Sequence, residues 1–172
     1  MDKKADIWIS AILYLGLGII ILSLILAVGV PVVNKIRDKN IAIDTENLML
    51  SLDNQIRAVY SEGPGSRRPF KFEIRKGSLN INDNDETIAW EFETSALLSQ
   101  PGAKVDKGSL LLTTTDGPSQ NIYVSTFQLN YSGTLNLRMQ GTSTEFTGAN
   151  SLLVTNIGAT GTSLPTIEIT PL

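Results

Sequence analysis

Residues 7–33 read IWISAILYLGLGIIILSLILAVGVPVV, 27 positions without one Asp, Glu, Lys or Arg. A bilayer core about 30 Å thick takes roughly 20 apolar helical residues to cross. The apolar core of an ordinary cleaved secretory signal holds only about 7–15. The run is too long for such a signal. It is also too apolar on every face for a helix that a chain of this size has to bury. It predicts a membrane-embedded helix. Lys3 and Lys4 precede it and Lys35, Arg37 and Lys39 follow it, so the count of flanking positive charges does not fix its orientation.

Beyond Asn34 the apolar positions thin out to helical spacing. Ile41, Leu48, Leu52, Ile56 and Val59 recur on one stripe, with Asp44, Asn47, Ser51, Asp53 and Arg57 expected on other faces. Pro31 removes one backbone hydrogen bond and is expected to kink the helix. Gly63-Pro64-Gly65 ends it. The span from Ile7 to Tyr60 is about 80 Å long at 1.5 Å per residue. Its second half carries a stripe that needs covering, and Leu48, Leu52, Ile56 and Val59 are expected to pack on the remainder of the chain.

From Phe70 onward the period becomes two. Phe70, Phe72 and Ile74 alternate with charged residues; Leu79 and Ile81 follow an expected Gly77-Ser78 turn; Ile88, Trp90 and Phe92 alternate again. Further expected strands are 110–115, 121–130, 134–140, 151–156 and 166–170, separated by turn residues. Seven or eight short strands point to an antiparallel β-sandwich. The expected architecture is α+β: a hydrophobic, then amphipathic, N-terminal helix packed on a C-terminal antiparallel sandwich. The domain reading is 1–5 leader, 6–33 membrane segment, 34–62 amphipathic helix and 63–172 β-domain.

Composition narrows the function. The 172 residues hold no His and no Cys, and 14 Lys+Arg stand against 17 Asp+Glu. That excludes Ser-His-Asp and Cys-His nucleophile systems, ordinary zinc and haem sites and disulfides. A net charge of −3 lacks the basic footprint of a nucleic-acid binder. No cofactor is implied, and no enzyme activity is expected. Asn82-Asp83-Asn84-Asp85-Glu86 offers oxygen ligands for calcium, but lacks the glycine and distal glutamate of an EF-hand; a hairpin turn is the expectation. Glu91 and Glu93 fall on one face of a strand, a pattern more typical of wet surface than of paired catalytic acids. Glu62-Gly63-Pro64-Gly65-Ser66-Arg67-Arg68 carries glycines beside arginines, but follows a helix instead of opening one. Its glycines are expected to reverse the chain, and Arg67 or Arg68 to pair with carboxylates of the helix or of a neighbouring subunit. Asn130-Tyr131-Ser132 is the one N-glycosylation sequon. Residues 101–172 carry only seven charged side chains but 20 Ser and Thr, a surface suited to the outside of a cell.

The chain start, Met1-Asp2-Lys3-Lys4-Ala5-Asp6-Ile7, sets a short charged leader directly before the apolar run. This resembles a class III signal peptide, the mark of type IV prepilins and archaeal flagellin-like proteins. The resemblance implies cleavage by a prepilin peptidase between Ala5 and Asp6, with Lys4, Ala5 and Asp6 as processing residues and the apolar helix retained. Lys-Ala-Asp-Ile matches the archaeal form of the site better than the bacterial one. Ser10 stands where bacterial pilins usually carry a glutamate at the fifth mature position, so the contact between that carboxylate and a neighbour's amine does not carry over. The helix, the Gly-Pro-Gly-Ser-Arg-Arg turn and the β-domain together resemble archaeal pilin-like surface proteins. This resemblance implies a structural subunit: membrane-anchored with its N-terminus in the cytoplasm, then extracted into an extracellular filament. Its partners would be identical subunits, the membrane, the peptidase, and an assembly platform with its ATPase. Gly16, Gly18, Ser23 and Ala27 are small enough for close helix approach in apolar surroundings. The competing reading is a permanent single-pass anchor, unprocessed, that displays a surface binding module or adhesin.

Overall fold

The structure, a computed structural model, describes residues 3–141, 144–159 and 161–172; the side chains of residues 3–7 and 9 lie outside the description. One helix, α1 (Lys3–Glu62), is followed by eight strands: β1 (Arg67–Asn82), β2 (Thr87–Thr94), β3 (Lys104–Lys107), β4 (Leu110–Asp116), β5 (Tyr123–Asn130), β6 (Asn136–Met139), β7 (Glu145–Gly158) and β8 (Thr166–Pro171). The chain divides into two compact units, residues 1–37 and residues 38–172.

The first unit is helical along its described length, with Pro31 inside α1. In the second unit, the C-terminal half of α1 lies on one face of a single eight-stranded sheet. The strand order is β3-β4-β5-β2-β1-β7-β8-β6. The fold is therefore α+β as expected, but the β part differs from the expected sandwich. It is one sheet, not two, and β6 pairs parallel to β8. The physical reason is the helix. Phe70, Phe72, Ile74, Leu79, Ile81, Ile88, Trp90, Phe92, Leu112, Phe127, Leu152, Val154 and Ile169 are all buried, and α1 supplies the second layer that an apolar sheet face requires.

The buried helix positions are Asp38, Ala42, Thr45, Met49, Leu52, Asp53, Ile56 and Val59. Leu52, Ile56 and Val59 were expected there; Leu48 packs against the core from its margin, and Ile41 is only half-buried. Ile41 and Leu48 stand one position before Ala42 and Met49, about 100° away around a helix of 3.6 residues per turn. The true seam alternates steps of three and four, which brings in Ala42, Thr45 and Met49. Asp53, expected off the apolar stripe, is buried as well.

Two strand expectations change. Gly77-Ser78 is no turn: β1 runs through it with a bulge between Ile74 and Leu79. Gly77 holds φ at 79°, and a Cβ there would stand 1.9 Å from the Glu91 carbonyl oxygen, so only glycine lets β1 and β2 close up at this point. β3 and the first half of β7 were not expected. Lys104-Val105-Asp106-Lys107 has one apolar residue, and Glu145–Asn150 has only Phe146 as a large one; neither offers an alternation to read. Asn82–Glu86 forms the expected hairpin turn between β1 and β2. The Asn82 Oδ1 accepts the N–H groups of Asn84 (3.0 Å) and Asp85 (3.3 Å).

Candidate functional site: the bare apolar segment and the seat of the amphipathic helix

In the first unit the apolar run is bare. From Trp8 to Val33 the described large apolar side chains range from 48% exposed at Ile21 to 75% at Tyr14. Among the described residues, this is one helix long and apolar enough to cross a membrane. Ser23, mid-run, donates its hydroxyl to the Ile19 carbonyl (2.8 Å), which removes the penalty for an unsatisfied hydroxyl in hydrocarbon. A Cβ at Gly16, Gly18 or Gly29 would meet nothing within 4 Å, so no contact among the described residues requires these glycines. Lys4, Ala5 and Asp6 fall inside the span of α1, but their side chains lie outside the described residues.

In the second unit, α1 is held on the sheet by pairs that flank the buried seam. Asp38 Oδ1 accepts from Lys76 Nζ (2.8 Å), and its Oδ2 accepts from the backbone N–H (2.6 Å) and hydroxyl (2.7 Å) of Ser95. Burial pushes the Asp38 carboxyl up; Lys76 and the two Ser95 donors outweigh it and hold the group below its ordinary value. Asp44 pairs with Arg75 (2.8 Å) and Glu46 with Lys107 (2.5 Å). Three acids of the helix thus meet three cations of β1 and β3.

Deeper in, both oxygens of Asp53 accept from Arg57 Nε (3.0 and 2.8 Å), and Oδ1 also accepts from the Tyr131 hydroxyl (2.9 Å). A buried carboxylate is tolerated because each oxygen is bonded. Burial, then the Asp53 charge, pushes the Tyr131 phenol up. The helix end is capped from a distance. Asn156 of β7 donates its Nδ2 to the Val59 (3.1 Å) and Tyr60 (3.4 Å) carbonyls, and the Ser66 hydroxyl donates to Val59 O (2.7 Å). These are carbonyls a helix terminus leaves without internal partners. Gly63 and Gly65, with φ of 91° and 92°, turn the chain back toward β1.

Of the junction arginines, Arg68 pairs with Glu62; Arg67 is exposed and has no ion pair among the described residues. Asn130 is exposed at the end of β5 and its Oδ1 accepts the Ser132 N–H (2.9 Å), while the middle residue of the sequon, Tyr131, is the buried partner of Asp53. Glu91 and Glu93 lie on the outer face of β2, on either side of the inward Phe92. Among the described residues no group of three or more acids is placed to hold a metal ion. The seat residues Asp38, Glu46, Lys76, Lys107 and Asn156 escaped sequence reading. Charges that flank an apolar stripe were a usable signal for the first four; nothing marked Asn156. No known protein family, no curated protein and no solved structure matches the chain.

Proposed function

We propose that this chain is a structural subunit of an archaeal type IV pilus-like surface filament, held in the membrane by residues 7–33 until assembly. The observation that carries the reading is the bare apolar segment of α1, continuous in sequence with a helical half that forms the core of the β-domain. Burying one large apolar side chain is worth roughly 1.5–3 kcal/mol. A run of that length exposed to water is untenable, whereas lipid covers it first and copies of itself cover it afterwards. The glycines that no internal contact requires leave room for a second helix to approach. Prepilin peptidase trims the chain between Ala5 and Asp6, and a platform with its ATPase lifts the subunit out of the bilayer. The β-domain faces outward, with Asn130 available for glycosylation. The subunit needs no cofactor and performs no catalysis.

Mass analysis of the native N-terminus, together with negative-stain images of sheared surface material, tests this. A chain that begins at Asp6 and forms filaments is expected. An Ala5→Arg variant is expected to retain its leader and form no filaments. An intact Met1 on solitary membrane-bound molecules would show a permanent anchor that displays a binding module instead.

A further inference from the structure

Strand β1 is paired on both sides for only part of its length. β2 pairs with it from Ser78 to Asn82; β7 pairs with it from Arg67 to Ile74 and, past the bulge, at Leu79 and Asn80. On the side away from β7, the stretch 67–74 has no strand beside it among the described residues. The ladder fixes where its free groups point. Asn156 donates its N–H to Ser66 O (3.0 Å), and Leu172 donates to Ser151 O (2.9 Å), so even-numbered residues of β7 face β1 and odd-numbered ones face β8. Bonded and free positions alternate along an antiparallel ladder. Phe70 and Phe72 therefore direct their backbone groups at β7, while Lys71 and Glu73 direct theirs at the open side. Pro69 has no N–H to offer at one end of this opening, and Arg75 is bonded to Asp44 at the other. A groove of about 460 Å³ borders it, lined by Lys71, Phe72, Glu73, Trp90, Leu48 and Ser51.

A further open edge is β3, one of the two end strands of the sheet; β6 is the other. Thr114 O of β4 accepts from the Gly102 N–H (2.8 Å), on the β3 side, and Gly117, just past β4, donates to Ile122 O (2.9 Å), on the β5 side. Even-numbered residues of β4 therefore face β3. Val105 opposite Leu112 and Lys107 opposite Leu110 are the bonded pairs, so Lys104 and Asp106 direct their N–H and C=O groups outward. Val105 shares the helix-side face with Leu112; Lys104 and Asp106 lie on the outer face and are exposed.

We infer that β3 of one copy adds as an antiparallel strand to the open stretch of β1 in a second copy, with Asp106 opposite Lys71 and Lys104 opposite Glu73. All four residues then offer their free backbone groups to each other. Val105 meets Phe72 on the helix-side face, and both outer pairs join opposite charges. The register is singular. A slip of one residue breaks the bonding phase. A slip of two sets Lys71 against Lys104, or Glu73 against Asp106. Between Pro69 and Arg75 the open edge of β1 offers two outward-facing residues, the same number that β3 offers. Two β3 strands paired across a two-fold axis are charge-matched too, but that contact closes on itself, whereas β3 on β1 is head-to-tail and propagates. The choice of the propagating contact rests on the filament reading.

Because the chain has no cysteine, engineered pairs report the contact cleanly. The full-length chain carrying Lys71→Cys and Asp106→Cys is oxidised mildly, both in native membranes and in sheared surface material. Facing bonded residues of an antiparallel pair have Cα atoms about 5.5 Å apart, within disulfide reach. A ladder of disulfide-linked multimers is expected from the double variant and is absent from each single variant. Adding Glu73→Lys to the double variant should remove the ladder, and adding Lys104→Glu as well should restore it. No ladder in either material from a double variant whose β-domain resists protease like the wild type would overturn the inference. So would equal dimers from a chain carrying Lys104→Cys and Asp106→Cys, which would signal β3 paired with itself, since that pairing sets Lys104 opposite Asp106. A ladder in membranes without filaments would leave the strand contact standing and remove the filament reading; filaments without a ladder would do the reverse.

Discussion

At the scale of single residues, Asp38 ties the helix to the sheet with one carboxylate that accepts three hydrogen bonds. Its carboxyl is held below the ordinary value, so the folded state binds a proton less readily than the unfolded chain, where the group titrates near pH 3.9. Its contribution to stability is therefore complete above that value and is lost as pH falls through the lower folded one. Asp38→Asn is expected to lower the melting temperature of the full-length protein in detergent at pH 7. The gap to wild type should close as pH drops below about 4; a gap that ignores pH would show that the charge plays no part. Tyr131 and Asp53 handle a buried charge differently. The carboxylate is shut away from solvent, yet three donor contacts replace the water it lost.

At the scale of the element, the C-terminal half of α1 is read by its seam. Apolar spacing in the sequence located Leu52, Ile56 and Val59 on it. It misplaced Ile41 and missed Met49, because Ile41-Ala42 and Leu48-Met49 are both apolar pairs and spacing alone does not say which member of each faces the sheet. Met49 is 1% exposed. Met49→Ala is therefore expected to cost about 2–5 kcal/mol, as core truncations do, whereas Ile41→Ala at the half-buried margin should cost less than about 1.5 kcal/mol. Chemical denaturation of the full-length protein in detergent decides between the two stripes, since the expectation from spacing alone gives Ile41 the larger effect. The sheet shows the same contrast. β2 and the first half of β1 were legible from alternation, β4 and β5 as short runs between turn residues, and β3 was not, since four residues with three charges carry no period.

At the scale of the whole molecule, the two compact units meet different demands. The apolar segment wants a medium other than water, and the β-domain carries its own core. Leu24→Arg places a charge mid-run, where insertion scales put the cost at about 2.5–3.5 kcal/mol. The expected result is a sharp loss of membrane integration, read as alkali-extractable protein, with no change in the protease resistance of the β-domain. Loss of that resistance as well would mean that the second unit depends on the first for its stability.

The sequence alone determined that there is a long apolar helix, that it turns amphipathic after Asn34, that it stops at Gly63, and that strands follow. Each of these is a local matter of hydropathy, period or backbone freedom, and each is written within a few turns of chain. Only the tertiary structure decided that the strands make one sheet with α1 as its second layer, that Asn156 caps the helix from 96 residues away, and that β1 and β3 keep open edges. Those outcomes depend on which distant segments pair. Pairing is settled by the burial of whole faces and the matching of backbone donors to acceptors across the fold, and no short window of residues contains that information.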